Sequence, residues 1–168
     1  MSSLTNILIG TTVGAAVIGA ITYVAKLSRV SAQLESVATA MIHSVSLKGL
    51  VIRVDITLKN PTGTVLKIKY PFIKLLYKES TIGTSKSINQ DIIIPANGEA
   101  HINSIMISVP ITGLFSLSSG LLNLLTKKQA VVIVVKTIST IDLGWRKIPY
   151  EKTDSINLKP KAQNGTNN

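Results

Sequence analysis

Residues 54–72 read VDITLKNPTGTVLKIKYPF, two alternating patterns joined by Asn60-Pro61-Thr62-Gly63. From Leu50 to Leu58 every second residue is apolar and, apart from Val51, the residues between them are charged or hydroxyl-bearing. That alternation indicates a strand with one buried and one solvated face. Pro61 cannot donate a backbone hydrogen bond and disfavours helical backbone in the residue before it. The stretch therefore predicts a strand, a tight corner and a second strand.

The second pattern changes face at Pro71. Leu66 and Ile68 alternate with lysines, whereas Ile73 and Leu75 continue the alternation on the opposite parity. A proline within a strand pattern indicates an edge or a bulge, and only a bulge explains the change of parity. The apolar face of residues 99–109 also changes, near residue 105, which indicates another bulge.

The remaining patterns complete a mainly β fold. Short strands are predicted near residues 39–47, 80–86 and 88–94, and the β-branched run at 130–138 predicts a strand buried on both faces. A last pair is predicted near 140–149 and 151–158, and leucines at 112–126 predict a helix. Together these patterns predict an Ig-like, Greek-key β-sandwich of about seven strands with one short helix, preceded by an N-terminal transmembrane helix.

Residues 4–25 contain 22 positions without a charged side chain. As a helix they would extend roughly 33 Å, enough for a hydrocarbon core about 30 Å thick. Gly10 with Gly14, and Ala15 with Gly19, have the four-residue spacing of close helix packing in lipid, although small residues are also common in membrane helices generally. The predicted anchor consists of an apolar series and two following cations: Leu4, Ile7, Ile9, Val13, Val17, Ile18, Ile21, Val24, Lys26 and Arg29.

The position of Lys26 and Arg29 after the apolar run predicts a single-pass protein with its C-terminal domain on the cytoplasmic side. Apolar residues three and four apart between Leu27 and Met41 predict that the helix continues as a stalk. The predicted organisation is a transmembrane anchor at 1–25, a helical stalk at 26–38, a β-sandwich at 39–158 and a flexible polar tail at 159–168.

The net charge of +10 allows three kinds of partner: anionic lipid, nucleic acid or an acidic protein surface. Solubility alone is a simpler explanation. A candidate basic patch consists of Lys67, Lys69, Lys74, Lys127 and Lys128. Nucleic-acid binding is disfavoured because it usually requires exposed aromatic side chains for stacking, and only 4% of the residues are aromatic. Given the predicted anchor, a lipid or protein partner, or self-association, is the stronger prediction.

Four segments resemble the late embryogenesis abundant type 2 family, also called the WHy domain. They are GLVIRVDITLKNPTG, YKESTIGTSKS, IIIPANGEAHINSIMISVPI and VVIVVKTISTIDLGWRKIPYEK, in that order. The resemblance implies a Greek-key-like sandwich, no known catalytic residues and an association with stress protection. Its motif residues here are Asn60, Pro61, Gly83, Pro95 and Gly98, for which the chain chemistry predicts structural roles in turns.

No constellation in the sequence predicts catalysis. The chain lacks cysteine, its two histidines, His43 and His101, lie on different predicted strands, and its acidic residues are scattered singly. We therefore expect no enzyme, no cofactor, no metal site and no small-molecule substrate. The expected function is that of a structural or interaction module at a bilayer. Two alternatives remain open: a structural subunit of a larger assembly, such as a membrane-containing virion or a secretion machine, and a carrier of an apolar ligand.

Overall fold

The computed structural model of the protein describes residues 33–112 and 130–158. Nine strands occur in this part of the chain, whereas the sequence predicted about seven, and the mainly β fold is confirmed. The strands are β1 Glu35–Ser46, β2 Gly49–Asn60, β3 Leu66–Lys69, β4 Phe72–Tyr77, β5 Ser80–Thr84, β6 Asp91–Ile94, β7 Gly98–Pro110, β8 Val131–Asp142 and β9 Lys147–Leu158.

The strands form two sheets that share one apolar core. The first sheet has the order β1-β2-β7, and the second has the order β5-β4-β8-β3-β6 with β9 added to β8. The alternation that identified β2 is confirmed, since its even-numbered apolar residues from Leu50 to Leu58 are buried. Ile68, Ile73 and Ile133 of the second sheet belong to the same buried cluster. The fold is therefore a β-sandwich.

The change of face at Pro71 arises from a one-residue insertion. β3 and β4 both pair with β8, where Ile68 lies opposite Ile141 and Phe72 lies opposite Ile138. Between these two pairs lie three residues of the β3–β4 segment but only two residues of β8. The hydroxyl of Ser139 donates a hydrogen bond of 2.6 Å to the carbonyl of Lys69 within this interruption. The predicted bulge is confirmed.

The predicted bulge in β7 lies at Ser104. Val54 pairs with Ile105 and Ile56 pairs with Ile102, so two residues of β7 lie opposite Asp55 alone. Ser104 has a φ of +63°, and its amide donates a hydrogen bond of 2.6 Å to Oδ1 of Asp55. Burial by itself raises the pKa of Asp55, but the hydrogen bonds from Arg53 and the Ser104 amide outweigh it, and the pKa is lowered overall.

The prediction of a helical stalk up to residue 38 is wrong from Glu35 onward. β1 already begins at Glu35, because Ser36 and Ala38 alternate toward the core and pair with β2. Val37 and Met41, which suggested a helical stripe, face solvent and are 50% and 49% exposed. The core-facing side chains of this strand are small, so its two-residue alternation is weak in the sequence. The larger apolar residues face solvent, and their four-residue spacing resembles that of a helix.

Two predictions about the C-terminal strands also need correction. β8 is buried on one face only: Val132 is 56% exposed, so its β-branched run reflects strand propensity rather than burial on both faces. The last hairpin turns at Leu143–Arg146 and not near residue 150. Gly144 adopts a φ of +85° there, and its amide donates to Oδ1 of Asp142 at 2.8 Å. Pro149 is accommodated within β9 because, among the described strands, β9 pairs with β8 on one side and with none on the other.

Several predictions lie outside the described residues. They are the anchor at 1–25, the stalk before residue 33, the helix after Thr112 and the tail at 159–168. Thr112, the first residue of the predicted helix, and Ile111 before it are helical. A search of residues 33–112 and 130–158 finds no helix of sufficient length and apolar character to cross a bilayer.

Gly83 lies at a close approach of β5 to β7. A Cβ added at this glycine would lie 2.9 Å from Cγ2 of Ile107 and 3.0 Å from the carbonyl oxygen of Ser108. The backbone oxygen cannot move away without disturbing β7. The absence of a side chain at this position therefore allows the second sheet to close against the first.

We expect Gly83→Ala to lower the free energy of unfolding by about 1–3 kcal/mol through overpacking. Gly63→Ala is the matched control, because a Cβ at Gly63 would meet no atom within 4 Å. Denaturant titration of the two variants and the parent chain measures both effects. Equal stability of the Gly83→Ala variant and the parent would show that the two strands separate easily.

Candidate interaction surface

The corner that opened the sequence is built around the side chain of Asn60, which is 1% exposed. Its Nδ2 donates hydrogen bonds to the carbonyl oxygens of Thr64 at 2.8 Å and Pro95 at 2.8 Å. Its Oδ1 accepts one from the Thr62 amide at 3.1 Å and one from the Thr62 hydroxyl at 2.6 Å. Nδ2 also lies 3.4 Å from the carbonyl oxygen of Ile94. The hydrogen-bonding capacity of the amide group is therefore satisfied, which leaves little with which to bind a ligand.

The bonds of Asn60 join two distant turns. β2 leaves the first sheet at Asn60, and the turn at 95–97 returns the chain from β6 to β7. The amide of Asn97 donates to the carbonyl of Thr62 at 2.9 Å, and the amide of Gly98 donates to the carbonyl of Pro95 at 3.2 Å. The local turn at Asn60 was predicted, whereas its link to Pro95 was not. The sequence held one signal for this link, since the turn motifs at Asn60 and at Pro95 each follow an apolar strand pattern.

The five motif residues therefore occupy packing and turn positions. Asn60, Pro61, Pro95 and Gly98 meet at one corner, and Gly83 lies at the contact of β5 with β7. A cleft of about 310 Å³ lies beside the corner and is lined by Glu35, Lys59, Asn60, Pro61, Asn97, Gly98 and Glu99. Its wall carries two carboxylates and one ammonium group, because Glu35, Lys59 and Glu99 are neighbours across three strands.

The two histidines lie apart in the first sheet. His101 of β7 contacts Glu99 at 3.0 Å through Nε2 and Thr57 at 3.1 Å through Nδ1. His43 is the extra residue of a bulge in β1, since Ile42 pairs with Ile52 and Ser44 pairs with Val51. Within the described residues, no three His, Asp or Glu side chains come close enough to share a metal ion.

The structure brings together part of the candidate basic patch. Nζ of Lys67 and Nζ of Lys69 lie 2.9 and 2.7 Å from the two carboxylate oxygens of Asp91. Lys74 lies on the outer face of the same sheet, opposite Lys136, which in turn contacts Glu151 at 2.6 Å. Lys127 and Lys128 lie outside the described residues. Asp91 offsets one of the two charges beside it, so this surface is less basic than the sequence predicted.

Hydrogen bonds from Lys69 and Lys67 lower the pKa of Asp91 from its ordinary value of 3.8 to about 2. The ionised carboxylate therefore stabilises the folded chain at every pH above about 4. This contribution to the free energy of unfolding is lost as the pH falls from about 4 to about 2. In the unfolded chain Asp91 takes up a proton near pH 4, whereas in the folded chain it does so only near pH 2.

Residues with exposed apolar and basic side chains cluster near the corner. Strand register places four parts of the chain at the same end of the sandwich, which we call the Asn60 end. They are Glu35 and residues 59–65, 93–99 and 142–147. Val65, Ile93 and Trp145 are exposed there. Arg146 and Lys147 follow Trp145 directly. We call the opposite end, formed by residues 46–49 and 77–80, the Leu47 end. Leu47 is exposed there, at the β1–β2 turn.

A second groove lies where the two sheets meet near the β7 bulge. It encloses about 250 Å³ and is lined by Tyr70, Ser85, Lys86, Ile88, Ser104, Ile105 and Met106. Pockets that bury drug-sized ligands usually measure about 300–1,000 Å³. This groove is smaller and partly polar, and it gives the apolar-carrier alternative no support.

No protein-family model matches this chain, and no curated protein does. Its fold is similar to several solved structures. One is a protein from Archaeoglobus fulgidus, with 12% identity, 75% of this chain and 98% of that chain covered, and a TM-score of 0.47. Another is an Arabidopsis thaliana protein, with 17% identity, coverages of 77% and 84%, and a TM-score of 0.46.

A third similar structure is a putative late embryogenesis abundant protein, with 15% identity, coverages of 90% and 86%, and a TM-score of 0.36. These values describe a distant likeness in fold and say nothing about activity. The resemblance to the late embryogenesis abundant type 2 family stays a prediction from the sequence.

We expect Asn60→Ala to lower the free energy of unfolding by at least about 2 kcal/mol, because two carbonyls and one amide lose a buried partner. Asn60→Asp should cost more at neutral pH, since a carboxylate oxygen would face the Thr64 and Pro95 carbonyls, and should partly recover in acid. Thermal and denaturant unfolding measure these effects. Asn89→Ala is the control, because Asn89 is exposed and accepts one bond from Lys69.

If Asn60→Ala kept the parent melting temperature yet abolished membrane or partner binding, the corner would be a binding site instead of a structural link.

We expect Asp91→Asn to weaken the acid sensitivity of folding. Between pH 4 and about 2 the parent chain should lose more stability than the variant does, because only the parent loses the ion pairs with Lys67 and Lys69. The difference should be small and should shrink in high salt, since the pairs are exposed. Denaturant midpoints measured across this pH range test the prediction, and parallel curves for the two proteins would contradict it.

Proposed function

We propose that the protein is a non-enzymatic interaction module, held at a bilayer by residues 4–25, whose Asn60 end faces the membrane. The observation that carries the proposal is the position of Glu35. The described body begins at the end of the sandwich that also exposes Trp145, Val65 and Ile93. The chain therefore enters the body beside an apolar and basic surface.

The length of the connection supports this orientation. Nine residues, 26–34, separate the predicted anchor from β1, and fully extended they span at most about 32 Å. β1 has 12 residues, so the sandwich is about 40 Å long in the strand direction. If the Leu47 end faced the bilayer, Glu35 would lie farther from the membrane than the connection can reach. With the strands upright on the bilayer, the anchored chain therefore holds the Asn60 end close to the lipid.

The side chains of the Asn60 end suit the membrane interface. Tryptophan is enriched at the headgroup level because its ring is largely apolar and its indole N–H is polar. Arg146 and Lys147 lie next to Trp145 in the chain, and cations near an anionic leaflet gain about 1 kcal/mol each. Asp91 and Asp142 on the neighbouring strands limit the total charge, so we expect contact with lipid through both apolar and basic groups.

The finer parts of the proposal come from the sequence. They are Greek-key connectivity of the Ig type, membership of the late embryogenesis abundant type 2 family with a stress-protective role, and placement of the body on the cytoplasmic side. Orientation follows from Lys26 and Arg29. Protease added outside intact cells should leave the body uncut, and digestion of the body would reverse the orientation.

Trp145 is the single tryptophan of the chain and reports on its own surroundings. In the full chain reconstituted in vesicles, we expect lipids that carry a quencher near the headgroup to quench its fluorescence. The control is the double variant Trp145→Phe with Leu47→Trp, which moves the probe to the opposite end, where Leu47 is 94% exposed. The control should escape quenching because of its distance from the bilayer.

Quenching at position 47 but not at 145 would show that the body has the opposite orientation. Deletion of residues 1–25 should release the protein into the soluble fraction. If the shortened chain still pelleted with membranes in high salt, the anchor would not be what holds it there.

A further inference from the structure

β1 has a free edge in the described part of the chain. It pairs with β2 on one side, and no described strand pairs with its other side. β9 of the second sheet lies beside β1 without pairing with it, just as β5 lies beside β7 at the far edge of the first sheet. A free edge presents unpaired backbone donors and acceptors to any strand of suitable shape.

The second long edge strand shows how this protein protects an edge. β9 carries Pro149, Glu151, Lys152 and Asp154 along its length, and proline and charged side chains discourage further pairing. β1 has no Asp, Glu, Lys or Arg after Glu35. It also exposes Val37 and Met41 on its outer face. The edge of β1 therefore favours an added strand.

We propose that β1 pairs antiparallel with β1 of a second copy of the chain, about a two-fold axis at Thr39. A two-fold axis makes each contact occur twice, so the strand must be complementary to itself. In this register Glu35 lies opposite the partner's His43, Val37 lies opposite the partner's Met41, and Thr39 lies opposite the partner's Thr39. The inner side pairs Ser36 with the partner's Ile42 and Ala38 with the partner's Ala40.

Polar complementarity and shape both favour this register. It places the carboxylate of Glu35 beside the strand's histidine and brings the two exposed apolar residues together, and such cross-strand pairs stabilise sheets. Its paired stretch ends where the bulge at His43 begins. An axis moved to Ala40 would bring Glu35 opposite the partner's Val45 and would enclose both bulges within the paired stretch, where the ladder cannot be regular.

The contact is small, since about eight residues of each chain take part. Interfaces that bury little area are typically transient, so we expect a reversible dimer that joins two three-stranded sheets into one of six strands. Because the two strands run antiparallel, the two Asn60 ends lie at opposite ends of the pair, so in the proposed membrane orientation the dimer joins chains anchored in two facing bilayers. The full chain in detergent micelles can form the same pair, so the dimer is testable without the proposed orientation.

The chain contains no cysteine, so a single introduced cysteine reports on one contact. Thr39→Cys should give a disulfide-linked dimer under mild oxidation, because directly opposed residues have Cα atoms about 4.5–5.5 Å apart, within disulfide range. Ser155→Cys is the matched control, since Ser155 is an exposed small residue on the protected edge strand β9. Equal cross-linking of the two variants would show random collision and overturn the proposal.

The register has its own test. Val37→Cys and Met41→Cys should each remain monomeric alone, because identical positions would lie about 13 Å apart along the strand. A mixture of the two variants should form the cross-linked dimer. Cross-linking of Val37→Cys with itself, or none in the mixture, would exclude this pairing.

Charge exchange gives a measurement that does not depend on oxidation. Val37→Lys and Met41→Glu, made separately, should each shift sedimentation of the detergent-solubilised chain from dimer to monomer. The double variant should restore the dimer, because the ammonium group introduced in each copy then faces the carboxylate introduced in the other. Both side chains are solvent-facing in the monomer, so unfolding is not expected, and a double variant that stays monomeric would contradict the proposal.

Discussion

One side-chain amide ties together two of the passages that the chain makes between the sheets. The first passage leaves β2 at Asn60, and the second returns from β6 to β7 through Pro95. Because both passages meet at the same amide, the relative position of the sheets at this end is fixed by hydrogen bonds as well as by the apolar core. The burial of Asn60 makes these bonds obligatory, since an unpaired amide in the interior is costly.

Much of the fold was predictable because strand alternation survives in the sequence wherever one face is wet. β2 is the clearest case, and the two changes of parity correctly marked bulges at Tyr70-Pro71 and Ser104. The errors came from places where side-chain size misleads. Small residues such as Ser36 and Ala38 face the core while Val37 and Met41 face solvent, and in β8 the solvent-facing positions are also β-branched.

The candidate surface was less predictable because it depends on register between distant strands. The lysines at 67 and 69 were visible as a basic pair, but only the pairing of β3 with β6 places Asp91 between them. The link from Asn60 to Pro95 and the shared end of Glu35 and Trp145 likewise follow from pairings across 30 or more residues. A single sequence predicts that turns exist and leaves open which turns meet.

The place of β8 in the second sheet has a consequence for the order of folding during synthesis. β8 forms the centre of that sheet, with β9 on one edge and both β3 and β4 on the other, yet it begins only at Val131. The strands from β3 to β6 are made long before their central partner. Until the last quarter of the chain leaves the ribosome, the edges of β3 and β4 stay open, and non-local pairings of this kind fold slowly. During this period the second sheet lacks its central strand. We expect the nascent chain to be most vulnerable to proteolysis and misassociation in that sheet.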